Sequence, residues 1–369
     1  MLLVTRLLFA LCALAAVSRH ANYAHAQIRQ ARAPQRIFAP DSFWITSWTR
    51  GGKAEPELLV EPRQVTVSGN MLIVFDEGTR EVGGFDGRTG TSRFVLKATG
   101  EGPGEFKRPQ QIASSATDFV VVDAATSRIT RYDNNGGYQR TDVHADAGQI
   151  EALCLRERSQ ILAKYSGARN ALRLVEASGT RVMQRSTASD EDVLDAPSFA
   201  NSARIPRACA SQRTALVPLF GASWFVVSGN GALTRYPFIE AGQAPIVGTT
   251  TKGKKRGGGV IIETQIAEVS PITRDAMQIG DTLIVNVAAS AKNPGRLLDY
   301  YSLATGRYLY SRKLFTFLDG LTIGSDGTFY GTSIGDEHSA VLAFRPAMSL
   351  PKRQPRSAPA PERKGTMKR

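Results

Sequence analysis

Short apolar runs alternate with turn residues along most of this chain, and the pattern is clearest after Gly100. There, four apolar or alternating runs follow one another at short intervals, separated by Ser, Asp, Asn and Gly. Asn135-Gly136 in one gap supplies the positive φ angles that a tight hairpin turn needs. Four short strands joined by tight turns form an antiparallel meander. The strands of this predicted four-stranded sheet are 111–113, 119–123, 128–132 and 138–143.

The same unit recurs along the chain. A copy upstream has strands at 63–67, 71–76, 81–86 and 92–98, and looser copies follow downstream. In the fourth unit the first strands run from Arg207 through Thr214 to Phe220. A period of about 40 to 60 residues with four strands per unit is typical of β-propeller blades. The six predicted units begin at Arg63, Gln111, Ile150, Arg207, Ala276 and Leu321.

The sixth unit contains three predicted strands, 321–323, 328–332 and 340–345. A further strand, 43–48 (FWITSW), precedes the first unit and has no partner there. Pairing this strand with the sixth unit would close a ring and remove exposed sheet edges. The sequence therefore predicts an all-β fold: a six-bladed β-propeller of four-stranded antiparallel blades over residues 37–347, closed by an N-terminal strand.

The stretch GEGPGEFKRPQQIA…VVVDAATSRITRYD resembles bacterial six-bladed propellers with NHL-type repeats, of the exported TolB-like kind. In that family a G-x-G-P-G-E-F linker enters a blade that reads I-A, V-x-D, R-I and Y/F-D. The close match covers one blade and part of a second, and blades three to six depart from it. The resemblance implies the fold and no single activity. The matching residues are Gly100, Gly102, Pro103, Gly104, Glu105, Phe106, Ile112, Ala113, Val121, Asp123, Arg128, Ile129, Tyr132 and Asp133.

The N-terminus has the pattern of a secretory signal. Arg6 is followed by the apolar run Leu7 to Val17 and by Ala24-His25-Ala26, which predicts cleavage after Ala26. The apolar run is shorter than the about 20 residues that a membrane-spanning helix needs. We therefore expect a signal peptide at 1–26, a flexible segment at 27–36, no transmembrane segment, and a periplasmic or secreted protein.

Removing the signal changes the candidate chemistry. The net charge falls from +13 to +11 because two arginines leave, and two cysteines and two histidines remain. So few His and Cys residues argue against a His/Cys zinc site. Cys154 and Cys209, on neighbouring blades, either form a disulfide or remain as two buried thiols.

Two basic segments stand apart from the blades. The tail 348–369 contains the Pro-, Lys- and Arg-rich run 351–369 and is predicted to be disordered. It serves solubility or spacing, or contacts an anionic surface. The Gly-rich basic run 252–259 lies in an unusually long connection and is either mobile or recruits an acidic partner. The anionic surface for the tail would be lipid, cell-wall polymer or nucleic acid. The run 252–259 lacks the interleaved aromatic residues of a single-strand nucleic-acid surface, and an exported protein has little access to nucleic acid, so no nucleic-acid partner is expected.

Aspartates recur at the end of the second strand, as Asp76 and Asp123, and again before the last turn, as Asp86 and Asp133. An Asp at a turn caps backbone amides or pairs with a nearby Arg, and this structural role is favoured over a ligand role. The linker 100–106 is glycine-rich, but a strand follows it instead of the helix that a phosphate loop needs. It is predicted to connect two blades.

Loops on one face of a propeller converge on the channel mouth, a usual place for ligands. We therefore take polar residues of these loops as candidate ligand-binding residues. The sequence predicts no catalytic and no metal-binding residues among them. Neither histidine of the mature chain has partners that indicate a site. The candidates are Arg108, Asp123, Arg169, Asp319, Asp336 and His338.

The sequence thus predicts an exported, non-catalytic binding or scaffold propeller without a cofactor. Its partner would be a peptide, a glycan or a protein bound on one face. The alternative is a propeller hydrolase or lyase with Ca²⁺ or a similar divalent cation in the central channel, held by oxygen ligands. Glu151 is the main carboxylate that the predicted innermost strands offer for such a site.

Overall fold

Twenty-six strands and one short 3₁₀ helix make up the described part of a computed structural model of the chain. Residues 1–34 and the tail 348–369 lie outside it. The described residues are 35–39, 43–55, 58–144, 150–156, 160–165, 172–178, 181–186, 203–207, 209, 213–219, 222–229, 232–240, 247–250, 263–266, 273–288, 295–335 and 337–347.

The first half of the chain supplies the closing strand and three blades. The 3₁₀ helix Gly52–Ala54 follows β1. The strands are β1 Trp44–Gly51; β2 Pro62–Ser68, β3 Met71–Asp76, β4 Glu81–Asp86 and β5 Ser92–Leu96; β6 Pro109–Ser114, β7 Asp118–Asp123, β8 Arg128–Asp133 and β9 Tyr138–Val143; and β10 Ile150–Leu155, β11 Gln160–Tyr165, β12 Leu172–Ser178 and β13 Arg181–Ser186.

The second half supplies the other three blades and a separate hairpin. Its strands are β14 Ala203–Arg204, β15 Arg213–Pro218, β16 Ser223–Ser228 and β17 Leu233–Pro237; the hairpin β18 Val247–Thr250 and β19 Glu263–Ile266; β20 Thr273–Ile279, β21 Thr282–Val287, β22 Leu297–Ser302 and β23 Tyr308–Lys313; and β24 Gly320–Ile323, β25 Phe329–Ser333 and β26 Ala340–Pro346.

These strands form six four-stranded antiparallel sheets, the blades, within the described residues. Blades 1 to 5 are β2–β5, β6–β9, β10–β13, β14–β17 and β20–β23, and blade 6 has the order β1-β26-β25-β24. The innermost strands β2, β6, β10, β14, β20 and β24 contact one another in a closed circle around a channel. The chain is therefore the six-bladed β-propeller that the repeats predicted.

Ring closure follows the predicted pairing. β1 runs antiparallel to β26, from Trp44 opposite Pro346 to Gly51 opposite Ala340. The Trp44 ring packs edge-on against Phe329 and Phe344, with both centroids 5.2 Å away. The first strand of the propeller is thus the outermost strand of the last blade. The two ends of the ring are therefore joined by strand pairing within one sheet.

Blade 4 differs from the prediction. Its innermost strand is short, Ala203–Arg204, and its second strand is Arg213–Pro218. Arg207, the predicted first residue of this blade, lies after the innermost strand. The long connection after blade 4 contains the hairpin β18–β19, which sequence patterns did not predict. The basic run 252–259 between these two strands lies outside the described residues.

The hydrophobic core consists of layers between neighbouring blades. Side chains of a strand alternate between its two faces, so each innermost strand serves two layers. On β10, Leu153 and Leu155 pack toward blade 2, whereas Ala152 and Cys154 pack toward blade 4. No helix in the described part is long and apolar enough to cross a membrane.

A segment before β1 lies along the outer edge of blade 5. Phe38 forms a parallel bridge with Ser311 of β23. Arg36 reaches the buried carboxylate of Asp299, with Nη2 2.9 Å from Oδ2, and also pairs with Glu240. Arg36 is the last residue of the segment 27–36, which was expected to be flexible, but the structure places its side chain in ion pairs.

Candidate functional site

The ring has two faces, which we name by the innermost strands. The start face is where these strands begin, and the end face is where they end. Arg108 directly precedes β6, and Asp319 directly precedes β24. Asp123 ends β7 opposite Pro109, and His338 lies in the turn between β25 and β26. These four predicted site residues therefore share the start face, whereas Arg169 and Asp336 lie outside the described residues.

Sharing a face does not bring these four residues into one site. The Arg108 amide donates to the Asp123 carboxylate within blade 2, at 3.1 Å. The Asp319 carboxylate accepts a hydrogen bond from the Ile334 amide at 2.8 Å and lies 3.8 Å from an Arg274 nitrogen. No hydrogen bond or ion pair joins the two groups in the part of the chain that is described.

Asp123 caps backbone amides instead of facing the channel. It is 1% exposed and accepts N–H groups from Lys107 at 2.7 Å, Arg108 at 3.1 Å and Ala125 at 2.9 Å. Burial by itself would raise the pKa of this carboxyl, but these hydrogen bonds outweigh it and the pKa is lowered. Its acceptor sites are occupied by the protein itself.

Asp76 repeats this arrangement in blade 1. Its carboxylate accepts the amides of Val60 at 2.7 Å, Glu61 at 2.9 Å and Gly78 at 3.0 Å. In both blades the aspartate ties the loop that enters the innermost strand to the turn that leaves the second strand. In these two blades the repeated Asp therefore holds the blade together by capping backbone amides, the structural role favoured from its position at a turn.

A cavity of about 290 Å³ opens on the end face, away from the predicted site residues. All six blades contribute to its wall through residues at or just beyond the ends of their innermost strands. The lining residues are Val67, Gly69, Ser114, Ser115, Ala116, Leu155, Cys209, Gln278, Ile279, Gly280, Ile323 and Ser325.

Among the described residues, no charged side chain lines this cavity. Four branched aliphatic residues alternate with serine hydroxyls, small residues and the amide of Gln278. The Gln278 amide is held in place because its Nε2 donates to the carbonyl of Arg213 at 2.9 Å. The end-face cavity therefore suits a small, neutral and largely apolar group.

A segment of blade 4 crosses the channel next to this cavity. The Arg207 carbonyl accepts the Ser114 amide of blade 2 at 3.1 Å, and Arg207 Nη1 lies 3.2 Å from an Asp275 oxygen of blade 5. Pro206 and Arg207 also line a second cavity of about 10 Å³, which shares Gln278 and Ile323 with the large one. Since this segment fills the middle of the channel, ligands reach the large cavity from the end face.

Cys154 and Cys209 are joined by a disulfide, with Cα atoms 5.9 Å apart. Cys154 lies on the innermost strand of blade 3 and is fully buried. Cys209 follows the segment that crosses the channel and lines the end-face cavity. The bond therefore fixes the end of the crossing segment to the neighbouring blade.

Carboxylates do not assemble into a cation site in the described part of the chain. Groups of three or more His, Cys, Asp or Glu residues that could hold a metal ion are absent from it. The side chain of Glu151, the carboxylate predicted for such a site, lies outside the described residues.

The six blades, the closed ring and the central channel define the class: this chain is a six-bladed β-propeller. A family model described as a 6-bladed beta-propeller matches residues 54–169. That match covers blades 1 and 2 and part of blade 3, and it confirms the resemblance to bacterial six-bladed propellers. No curated protein matches the chain in sequence.

Among solved structures, the chain is similar to several propellers at low identity. A Bacteroides fragilis protein named as exported is 12% identical, with 84% of this chain and 96% of that chain covered and a TM-score of 0.49. Virginiamycin B lyase from Staphylococcus aureus is 9% identical, with 81% and 99% covered and a TM-score of 0.47. BamB from Moraxella catarrhalis is 13% identical, with 81% and 97% covered and a TM-score of 0.39. These likenesses indicate no ligand or reaction for this chain.

Sequence reasoning missed the end-face cavity because it placed the site on the opposite face. One signal was present: the predicted innermost strands of blades 1, 5 and 6 end just before Gly69, Gly280 and Ser325, which line the cavity. Residues at equivalent ends of all blades must converge in a closed ring. The residue types that line the cavity could therefore be predicted from the sequence once the direction of the innermost strands around the channel was known.

Proposed function

We propose that this protein is an exported, non-catalytic binding propeller that takes a neutral, largely apolar group of a peptide, protein or glycan partner into the end-face cavity. The observation that carries the proposal is a cavity of about 290 Å³ to which all six blades contribute and whose described lining residues include no charged side chain. Ligand pockets are typically concave, mostly apolar and equipped with few polar groups.

The position of the cavity favours a group on the surface of a larger partner. The cavity opens on one face of the ring, its volume is at the small end of the about 300–1,000 Å³ common for ligand pockets, and Pro206 and Arg207 close the channel beside it. A single side chain or sugar unit can enter while the rest of the partner lies on the face. Specificity would come from the shape of the apolar wall and from the Ser325 hydroxyl, because the Ser114 hydroxyl donates to the Val67 carbonyl and the Ser115 hydroxyl to the Asp118 carboxylate.

Ligand-observed NMR tests this proposal with two panels of probes: N-acetylated amino-acid amides and neutral disaccharides. We expect apolar amides or selected disaccharides to bind the mature protein and charged amides to bind less. The variant Ile279→Trp fills the cavity and should abolish binding. The matched control Ile45→Trp, at a position 60% exposed on the outer strand β1, should retain it. Equal binding to both variants, or no binding to wild type, would refute the proposal.

A thermal-shift series with Ca²⁺, Mg²⁺ and EDTA separates this proposal from the hydrolase or lyase alternative. Selective binding of a cation to the folded state raises the melting temperature. We expect no cation-specific rise and no loss with EDTA. A rise at micromolar cation would instead favour a metal-dependent enzyme.

Export is part of the proposal and is tested separately. Expression of the full chain in a bacterial host should give a periplasmic or secreted product whose first residue is Gln27, measured by intact mass. A cytoplasmic product that keeps residues 1–26 would contradict it.

A further inference from the structure

The two sulfurs of the disulfide differ in their access to the end-face cavity. Cys209 lines the cavity and is partly exposed, whereas Cys154 is fully buried between blades 3 and 4. Of the two cysteines, a thiolate that enters the cavity therefore reaches Cys209 and not Cys154. Thiol–disulfide exchange depends on which sulfur can be attacked and on how readily the other sulfur leaves.

A buried cation lies on the same side of the strand as the buried sulfur. Arg156 is the second residue after Cys154, so the two side chains project from the same face of the chain, about 6–7 Å apart along the strand. Arg156 is 2% exposed. Its Nη2 donates to Thr214 Oγ1 of blade 4 at 2.9 Å.

No carboxylate of the described residues pairs with Arg156, and its buried Nε has no hydrogen-bond partner. Burial lowers the pKa of this guanidinium. Buried charges in proteins are normally paired, because an unpaired charge costs several kcal/mol. Among the described residues, Arg156 thus has a hydrogen bond to Thr214 but no carboxylate partner, and it directly follows Leu155, which lines the end-face cavity.

Opening the disulfide would create a thiolate anion near the buried Arg156 guanidinium. A thiolate on Cys154 would lie in the same layer as the Arg156 guanidinium, and a nearby arginine stabilises a thiolate by lowering the pKa of its thiol. A thiol with a lowered pKa is also the better leaving group in exchange. In a directed exchange reaction, Cys209 would therefore be the residue that is attacked, and Cys154 would be the residue whose sulfur leaves as a stabilised thiolate.

We propose that Cys154–Cys209 is a redox-active disulfide that oxidises small neutral thiols, or a cysteine side chain of a partner, that enter the end-face cavity. The substrate thiolate attacks the Cys209 sulfur, a mixed disulfide forms there, and the Cys154 sulfur leaves as a thiolate beside Arg156. A second substrate thiolate attacks the substrate sulfur of the mixed disulfide, which releases the oxidised substrate disulfide and a Cys209 thiolate. The Cys209 thiolate then takes a proton from water, the Cys154 thiolate stays beside Arg156, and two electrons have passed to the protein.

The experiment uses the intact mature protein and 2-mercaptoethanol as the probe thiol. Samples are quenched at intervals with N-ethylmaleimide and mapped by mass spectrometry. We expect the probe adduct on Cys209 and the maleimide on Cys154. Adducts divided equally between the two cysteines, or a disulfide that resists the probe until the protein unfolds, would overturn the proposal.

Three variants separate a redox role from a structural one. Arg156→Met should slow native-state opening at least tenfold, and Arg156→Lys should restore part of the rate. The control Arg213→Met removes an exposed arginine beside Thr214 that pairs with Asp281, and should leave the rate unchanged. Equal rates for wild type and Arg156→Met would refute the role of the guanidinium.

The variant Ile279→Trp tests the route through the cavity. It should slow disulfide opening in the folded protein, while the same disulfide in urea-unfolded protein should react at the wild-type rate.

The redox inference rests on the same cavity as the proposed function, but each of the two can be refuted without the other. If neutral probes bind while the disulfide stays inert, the redox inference alone is wrong; if exchange proceeds without neutral-probe binding, the proposed function alone is wrong.

Discussion

The backbone amide of Ser114 donates a hydrogen bond to the carbonyl oxygen of Arg207, 3.1 Å away, although the two residues belong to blades 2 and 4. Blade 3 lies between these blades in the ring, so the bond passes in front of its innermost strand. The Arg207 side chain continues to Asp275 of blade 5. One short segment of blade 4 thus connects three blades and closes the channel beside the end-face cavity.

We expect Arg207→Met to lower the free energy of unfolding by about 3 kcal/mol, because it leaves the buried Asp275 carboxylate without its cation. The control Arg213→Met breaks an ion pair that is half exposed on both sides, and should cost less than about 1 kcal/mol. Urea denaturation measures both. Equal losses for the two variants would show that the channel-crossing pair contributes no more than a surface pair.

Asp123→Ala should destabilise the protein by at least about 2 kcal/mol, because each buried amide left without an acceptor costs roughly 1–3 kcal/mol. The carboxylate accepts three backbone amides, from Lys107, Arg108 and Ala125. Asp123→Asn keeps one acceptor oxygen and should lose less. Chemical denaturation checks the order of wild type, Asn and Ala. If the alanine variant were as stable as wild type, Asp123 would not be a structural cap.

Asp86 should add stability that acid removes. Arg93, 2.9 Å away, and the amides of Thr89 and Arg88 lower the pKa of Asp86 to about 2 in the folded protein. Because an unfolded Asp has a pKa of about 3.9, this contribution is complete above that pH and is lost as the pH falls toward 2. The difference in unfolding free energy between wild type and Asp86→Asn should therefore be constant above about pH 5 and shrink between pH 4 and 2. A difference that stays constant over the whole range would contradict the lowered pKa.

Closure of the ring depends on Trp44. Its ring packs against Phe329 and Phe344, and its indole Nε1 donates to the Lys313 carbonyl at 2.6 Å. Trp44→Ala should cost about 3 kcal/mol, within the range for removing a large aromatic side chain from a packed site. Ile45→Ala, one residue along the same strand and 60% exposed, should change stability by less than about 0.5 kcal/mol. Similar unfolding midpoints for both variants would mean that the closing strand is held by its backbone alone.

The prediction from sequence was accurate where the signals are local. In blade 2 the predicted strands lie within two residues of β6–β9, because alternation and the Asn135-Gly136 turn act between near neighbours in the chain. Gly136 has the predicted positive φ, 82°, whereas Asn135, predicted to share it, does not. Blade 4 was predicted less well because its innermost strand ends after Arg204 and the chain then leaves the sheet to cross the channel.

The sequence by itself determined the architecture: six repeats, a displaced first strand and turn aspartates require only short-range patterns and the closure of a sheet edge. The tertiary structure alone decided where the end-face cavity, the proposed binding site, lies. The cavity wall joins Val67, Cys209 and Ile323, which are far apart along the chain and meet only when the ring closes. The same closure placed Cys209 in that wall and buried Arg156 against Thr214 of blade 4, because the inner ends of neighbouring blades converge on one axis.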